Sequence, residues 1–391
     1  MRNLKLGEVV ETVTDPSRCS IESLSDVRCG FINELVIVTR NSQGDICHTR
    51  EDIIDVQIQD VDGDYVEKGL IETETGTFVV KYKAGKPSPY KVVVSIGGKQ
   101  VKNSPQNIET IAKAEFKPLK IIDVKDRMSN PIALDVGDYG DIAVVNDYKD
   151  DVRVVLFNAD GEYLRDIGSA GSGDGQLSDP FGVIFNKEKI VITDNLGDCG
   201  CIKVFDIDGT YNRSRLKLPR GMILQGLCTV NQTIACLCYN KNTKETFIKF
   251  FDKYSYDHLY DIKLDVPDDD HCHPWSLAFD NYKYFVSFIG VNIVYVFDEN
   301  GVLLYTFGMK GNKEGQFNEV RGLAVFGREM LLVCDLYNHR VQVFTQDGQF
   351  ISSLGSYGSG LGQMKRPYDV AVTHGQVFVL ECLDRRIQVW R

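Results

Sequence analysis

The chain has 391 residues, 43% of them apolar and 25% charged, with 44 basic against 55 acidic residues and a formal net charge of -11. That is the composition of folded protein, and the length suits one large domain or two of ordinary size. The charge has the wrong overall sign for a general binder of nucleic acid or acidic membranes, and no run approaches the ~18 apolar residues of a membrane helix. Met1 to Val10 lacks the apolar core of a signal peptide, and the 11 cysteines, odd in number and without a Cys-x-x-Cys pair, are expected to be reduced thiols. A cytoplasmic location is the expectation that follows.

Taken in chain order, residues 1–10 read as a tail or linker, the continuation of a longer chain. Residues 11–113 alternate β-like runs, Glu34 to Thr39, Val56 to Gln59, Thr77 to Tyr82 and Tyr90 to Ile96, with turn signals such as Asp62-Gly63 and Gly97-Gly98. About 100 residues of this spacing predict a β-sandwich.

Residues 114–391 carry an internal repeat. A β run closing on an aromatic recurs six times, at Phe157, Phe205, Phe251, Phe297, Phe344 and Trp390, with spacings of 48, 46, 46, 47 and 46 residues. Four residues after the aromatic stand Gly161, Gly209, Ser255, Gly301 and Gly348, a hairpin signal that returns a further strand antiparallel. Gly-rich loops ending in Gly175-Gln176, Gly315-Gln316 and Gly362-Gln363 then lead into small-residue strands such as Gly322 to Val325. Four strands per repeat is the arithmetic of a β-propeller blade, and six aromatics predict six blades. The chain stops at Arg391 after the third strand of the sixth, so Phe116 to Val124 is expected to supply its outer strand and close the ring. The fold class is all-β.

Cys334-Asp-Leu-Tyr-Asn-His-Arg-Val-Gln-Val-Phe344 resembles an NHL repeat, and Gly360-Leu-Gly-Gln-Met-Lys-Arg-Pro367 resembles the entry to the next. Blades three and four keep the strand pattern without that phrase. Upstream, Asp15-Pro-Ser-Arg-Cys19, Asp45 after Ser42-Gln-Gly44, Gly76 to Tyr82, and Pro89-Tyr90 with Asn103-Ser-Pro105 resemble a filamin-type immunoglobulin repeat. The pairing is similar to the C-terminal half of the tripartite-motif NHL (TRIM-NHL) family. The resemblance implies a target-recognition region, for protein or for stem-loop or single-stranded RNA, in a ubiquitin ligase or post-transcriptional regulator. The family's RING would need closely spaced Cys and His pairs for zinc, and this sequence has none, so dimerisation and ligase activity would belong to upstream segments.

In a propeller the loops from fourth to first strands share one face with those from second to third. At the start of each first strand one position recurs, holding Ile132, Phe181, Gln225, Trp275, Arg321 and Tyr368. Rigid rings and a guanidinium around a mouth suit recognition. Phe181, Trp275, Arg321 and Tyr368 are therefore candidate partner-binding residues, with Lys310, Lys313, Lys365, Arg366 and Arg385 as cations beside them. The loop into blade four brings the opposite sign: Asp265, Asp268, Asp269 and Asp270. Arg340 and Arg386 follow Asp335 and Glu381 by five residues, a spacing expected for internal hydrogen bonding.

No catalytic residue, cofactor or metal is expected. His271-Cys272-His273 has adjacent residues that alternate in direction along an extended segment and cannot easily share one ion. The rival readings are a protein scaffold that binds no RNA and a metal-dependent hydrolase propeller, which would need recurrent channel His, Asp or Glu.

Overall fold

The computed structural model describes residues 13–391 except 25–26, 29–31, 50–51, 85–88, 109, 112–115, 268–272 and 328–329. The expected tail therefore lies outside the described residues, as do Asp268, Asp269, Asp270, His271 and Cys272. The chain divides into two compact units, Met1–Glu115 and Phe116–Arg391.

In the first unit, one sheet orders Ser20–Leu24, Ile32–Val38, Thr77–Lys83 and Lys68–Glu74, and the other pairs Ile54–Gln59 with Tyr90–Ile96, flanked by Lys99–Gln100 and Gln106–Ile108. Strict alternation turns every second side chain inward along Tyr90–Ile96, where Tyr90, Val92, Val94 and Ile96 are buried. They meet Leu35, Ile37, Val56, Ile58 and Val80 in a core between the sheets. Lys68–Glu74 escapes a pattern search because this edge strand has no buried stripe: Leu70 and Ile71 are both exposed.

The second unit is built of four-stranded antiparallel blades. Blade 1 comprises Pro131–Val136, Ile142–Asn146, Arg153–Phe157 and Tyr163–Ile167. Blades 2 and 3 begin at Pro180–Asn186 and Met222–Val230, joined by one parallel bridge between Cys199 and Met222. Blades 4 and 5 begin at His273–Asp280 and Val320–Phe326. Blade 6 takes Pro367–Thr373, Gln376–Glu381 and Arg386–Trp390, and its outer strand is Pro118–Asp123, antiparallel to Arg386–Trp390. First strands of successive blades touch around a ring in which the sixth meets the first.

The recurring aromatics explain the spacing. Phe157, Phe205, Phe251, Phe297, Phe344 and Trp390 are all between 0% and 3% exposed, each at the end of a third strand. Burying one such ring stabilises by roughly 1.5–3 kcal/mol, so one aromatic per blade is strongly specified. Gly301 shows why the hairpin position that follows is so often glycine. Its φ is +84°, and a Cβ there would lie 2.4 Å from the Lys263 carbonyl oxygen of the preceding blade.

Candidate functional site

The first strands all start on the face that carries the loops from fourth to first strands. There the structure brings together four of the candidate residues, three of them rings from alternate blades. The Phe181 and Trp275 rings meet edge to face at 4.3 Å between centroids, and Trp275 meets Tyr368 at 5.6 Å. The Arg321 guanidinium lies 4.1 Å from the Trp275 ring and 4.9 Å from the Tyr368 ring, and its Nη2 pairs with Glu319 at 2.9 Å. Ring pairs of this geometry are worth about 0.5–1.5 kcal/mol each, so the layer is held from within. It roofs an axial cavity of about 350 Å³ lined by first-strand residues such as Leu134, Val183, Leu277 and Leu323. All four side chains are half-buried, whereas Ile132 and Gln225, at the same register, are buried. Burial pushes the Tyr368 phenol above its usual range, and Arg321 opposes the shift.

The candidate cations divide in two. Lys365 donates to Ser359 Oγ at 2.6 Å and pairs with Asp384 at 3.2 Å, and an Arg385 Nη1 reaches the Met128 carbonyl at 3.4 Å. Lys310, Lys313 and Arg366 are exposed. Arg366 extends over the ring of Tyr337, 5.3 Å from its centroid.

Tyr337 belongs to a cluster that sequence reasoning passed over. A short 3-10 turn, Leu336–Asn338, ends at His339 in a left-handed conformation with φ 58° and lifts Tyr337 out of the blade. The His339 ring packs on Tyr357 at 4.8 Å, and its Nδ1 accepts the Arg366 backbone N–H at 3.1 Å. Burial and the nearby Arg366 hold the His339 pKa below its usual value, so the ring is neutral near pH 7. Tyr337 is 45% and Tyr357 67% exposed. The signal was present in the Tyr337-Asn-His339 stretch, but there it was absorbed by its likeness to a repeat phrase.

Across the mouth the sign reverses. Burial and repulsion from Asp147 and Asp194 raise the Asp179 carboxyl to about 6, and Asp147 is raised for the same reasons. Asp265 lies away from the mouth, its N–H bonded to the Gly301 carbonyl in a hairpin between third and fourth strands.

Arg340 and Arg386 face inward. Arg340 Nε donates to Asp335 at 2.8 Å while its Nη2 holds the carbonyls of Lys313 and Gln316, and Gln342 adds bonds to Gln316 O and Asp335. Arg386 repeats this with Glu381, Ser359 and Gln363, and Gln388 assists. In blade 2, Lys203 pairs with Asp194 at 2.9 Å and donates to Gln176 O. Each of these blades is entered through a Gly-Gln loop, and the acid–base pair clamps that loop.

Comparison with known proteins matches this architecture. A filamin/ABP280 repeat model matches residues 13–107. RING finger protein nhl-1 of Caenorhabditis elegans is 40% identical over 73 residues, covering 19% of this chain and 8% of that protein. Protein brain tumor of Drosophila melanogaster is 39% identical over 77 residues, 19% of this chain and 7% of its own. Human tripartite motif-containing protein 2 is 23% identical over 209 residues, 53% of this chain and 28% of its own. The chain thus spans less than a third of the relatives it matches. A solved structure of a Bacteroides thetaiotaomicron protein of unknown function covers 95% of this chain and 97% of its own, at 14% identity and TM-score 0.53, a likeness of fold alone.

Fold and repeats together define a filamin-type sandwich followed by an NHL-type β-propeller. Over these spans the chain is similar to proteins of the TRIM-NHL family, and its first unit matches a filamin repeat.

Proposed function

We propose that the propeller is the target-recognition module of a longer TRIM-NHL protein, and that it binds rather than catalyses. The observation that carries this reading is the exposed cluster of Tyr337, His339, Tyr357 and Arg366, flanked by Lys310 and Lys313, beside the rigid ring layer of the mouth. Open tyrosine rings and unpaired cations are the parts with which single-stranded RNA is held: bases stack on the rings and phosphates meet the cations. Trp275, Arg321 and Tyr368 form the firm floor against which the segment would lie. The filamin-type unit serves as a spacer and docking module.

A protein target is the second reading. It is favoured by the acidic sector around Asp147 and Asp179 and by the ion pairs that already engage Arg321 and Lys365. A two-signed face suits a protein surface better than a polyanion. Crosslinking pull-down with and without ribonuclease, followed by salt titration of the recovered complex, separates the two. Three phosphates on Lys310, Lys313 and Arg366, at about -0.7 each, give log affinity against log salt a slope of about -2. A ribonuclease-resistant complex with a flat salt response belongs to protein, and absence of any partner in both arms contradicts the recognition reading.

A further inference from the structure

The face opposite the mouth carries the hairpins joining first to second and third to fourth strands. On it, blades 1 to 3 enclose a pocket of about 800 Å³, within the usual range for ligand sites. Its walls include Gly137, Asp138, Tyr139 and Asp141 from blade 1, Asn186 to Lys189 from blade 2, and Lys253, Tyr254 and Tyr256 from blade 3. These hairpins are tied together. Asn186 Nδ2 donates to the Lys253 carbonyl at 2.5 Å and to Tyr256 Oη at 3.0 Å, and the Phe185 N–H donates to Asp135 Oδ2 at 2.7 Å. The cavity is therefore pre-formed, and little ordering cost would fall on binding.

Charge in the pocket is sorted by wall. On one side Lys187 and Lys253 place their ammonium groups 5.5 and 5.3 Å from the Tyr254 ring centroid. Neither joins an ion pair among the described residues, whereas Lys189 is engaged by Asp206. Lys187 occupies a left-handed hairpin position, φ 56°, where Asn231 and Asn281 stand in blades 3 and 4. A lysine there is conformationally costlier than asparagine, and the exchange puts a cation at the rim. On the other side stand Asp138 and Asp141, with Tyr139 between them 92% exposed. Glu188 adds a further carboxylate beside Lys187. A polyanion would meet these carboxylates and a polycation the two free amines, so neither complements the whole pocket. Tyr139, Tyr254, Asn186, Asn212 and Gly137 are the residue types of protein-recognition loops: stiff amphipathic rings among small, adaptable polar groups.

We propose that this pocket is a second recognition site, which takes a short peptide segment of mixed charge. An acidic side chain of that segment meets Lys187 and Lys253, a basic one meets Asp138 and Asp141, and its backbone packs on Tyr139 and Tyr254. The site is independent of the loop-face reading.

The test probes the 391-residue chain with an array of nine-residue peptides in a Gly/Ser/Ala background. Each peptide carries one Glu and one Lys at separations of one to six residues, and neutral, all-acidic and all-basic peptides serve as controls. The best mixed-charge peptide is expected to bind at least tenfold tighter than every control. The double variant Lys187→Glu with Lys253→Glu, checked to melt like the parent, is expected to lose that margin and to regain binding when Glu in the peptide becomes Lys. Tyr139→Ala is expected to weaken binding several-fold, and Arg366→Glu on the other face to leave it unchanged. Equal binding of mixed and control peptides, indifference to the double variant, or loss of binding in Arg366→Glu each overturns the proposal.

Discussion

Blades 5 and 6 and blades 3 and 4 share one register but hold it with different chemistry. Where blade 5 has Asp335, Arg340 and Gln342 and blade 6 has Glu381, Arg386 and Gln388, blade 4 has Phe288, Ile293 and Tyr295, with the Phe288 and Tyr295 rings in contact at 4.8 Å. Blade 3 has Cys238, Phe247 and Lys249, whose ammonium turns instead to Asp261. The polar set occurs where a Gly-Gln loop enters the blade, and its partners are that loop's carbonyl groups. The residues that make a repeat phrase recognisable are thus chiefly loop clamps. Blade 4, without the loop, fills the same positions with apolar packing, whereas blade 1, also without it, keeps Asn146 opposite Arg153, whose Nη2 donates to the Arg127 carbonyl.

The largest effect that would break this comparison is expected from Arg386→Ala. Glu381 is fully buried, and its pKa is already raised by burial despite its bonds from Arg386, Gln388 and the Lys365 N–H. Removing the guanidinium leaves an uncompensated buried acid, a loss of about 3–5 kcal/mol in urea unfolding of the propeller. The deficit should shrink on acidification, because Glu381 can then be protonated.

Gly322→Ala comes next, at about 1–3 kcal/mol. A Cβ there would sit 2.6 Å from Asp369 Cα, a backbone atom of the adjoining first strand, so the close approach of blades 5 and 6 would have to open.

A smaller, pH-dependent effect distinguishes the seam between blades 6 and 1 from that between blades 4 and 5. Asp369 Oδ2 accepts the Leu134 N–H at 2.9 Å, whereas at the same register Ser276 Oγ accepts the Leu323 N–H at 3.1 Å. Burial, aided by Asp135, raises the Asp369 carboxyl to about 7, and Asp135 is raised to about 7 as well. An acid raised in the folded state holds its proton longer than in the unfolded chain. Its contribution is therefore complete below about pH 4 and lost as pH rises towards 7. The propeller should melt at a higher temperature at pH 5.5 than at pH 8, and Asp369→Asn or Asp135→Asn should narrow that gap. An unchanged gap in both variants would locate the titrating groups elsewhere. The smallest effect belongs to Ile293→Val, at the Arg340 register of blade 4, which should cost less than about 1 kcal/mol because only a methylene is lost from a half-buried site.

The chain's own pattern carried the repeat because a buried ring at the end of each third strand cannot be moved without loss. The strand at Pro118–Asp123 was legible from the missing fourth strand of blade 6. Convergence was not legible: spacing places Phe181, Trp275 and Tyr368 at one register, but whether side chains from alternate blades touch across the axis depends on ring radius and rotamer. Tyr357 stood in a Gly-rich loop, and nothing local said that His339, 18 residues earlier, would support its ring. The clamps illustrate a third limit. Asp335 and Arg340 were readable as partners, but the carbonyls they hold have no identity in a sequence.

The recognition account rests on the open cluster between blades 5 and 6, and the most direct measurement is equilibrium binding of recovered target to Tyr357→Ala and Arg366→Glu. Both side chains are exposed, so both variants should melt like the parent. Each is predicted to weaken binding at least tenfold, while Tyr163→Ala, at an exposed outer strand of blade 1, leaves it unchanged. Parental affinity in both folded cluster variants would contradict the account and move the site off this sector of the loop face.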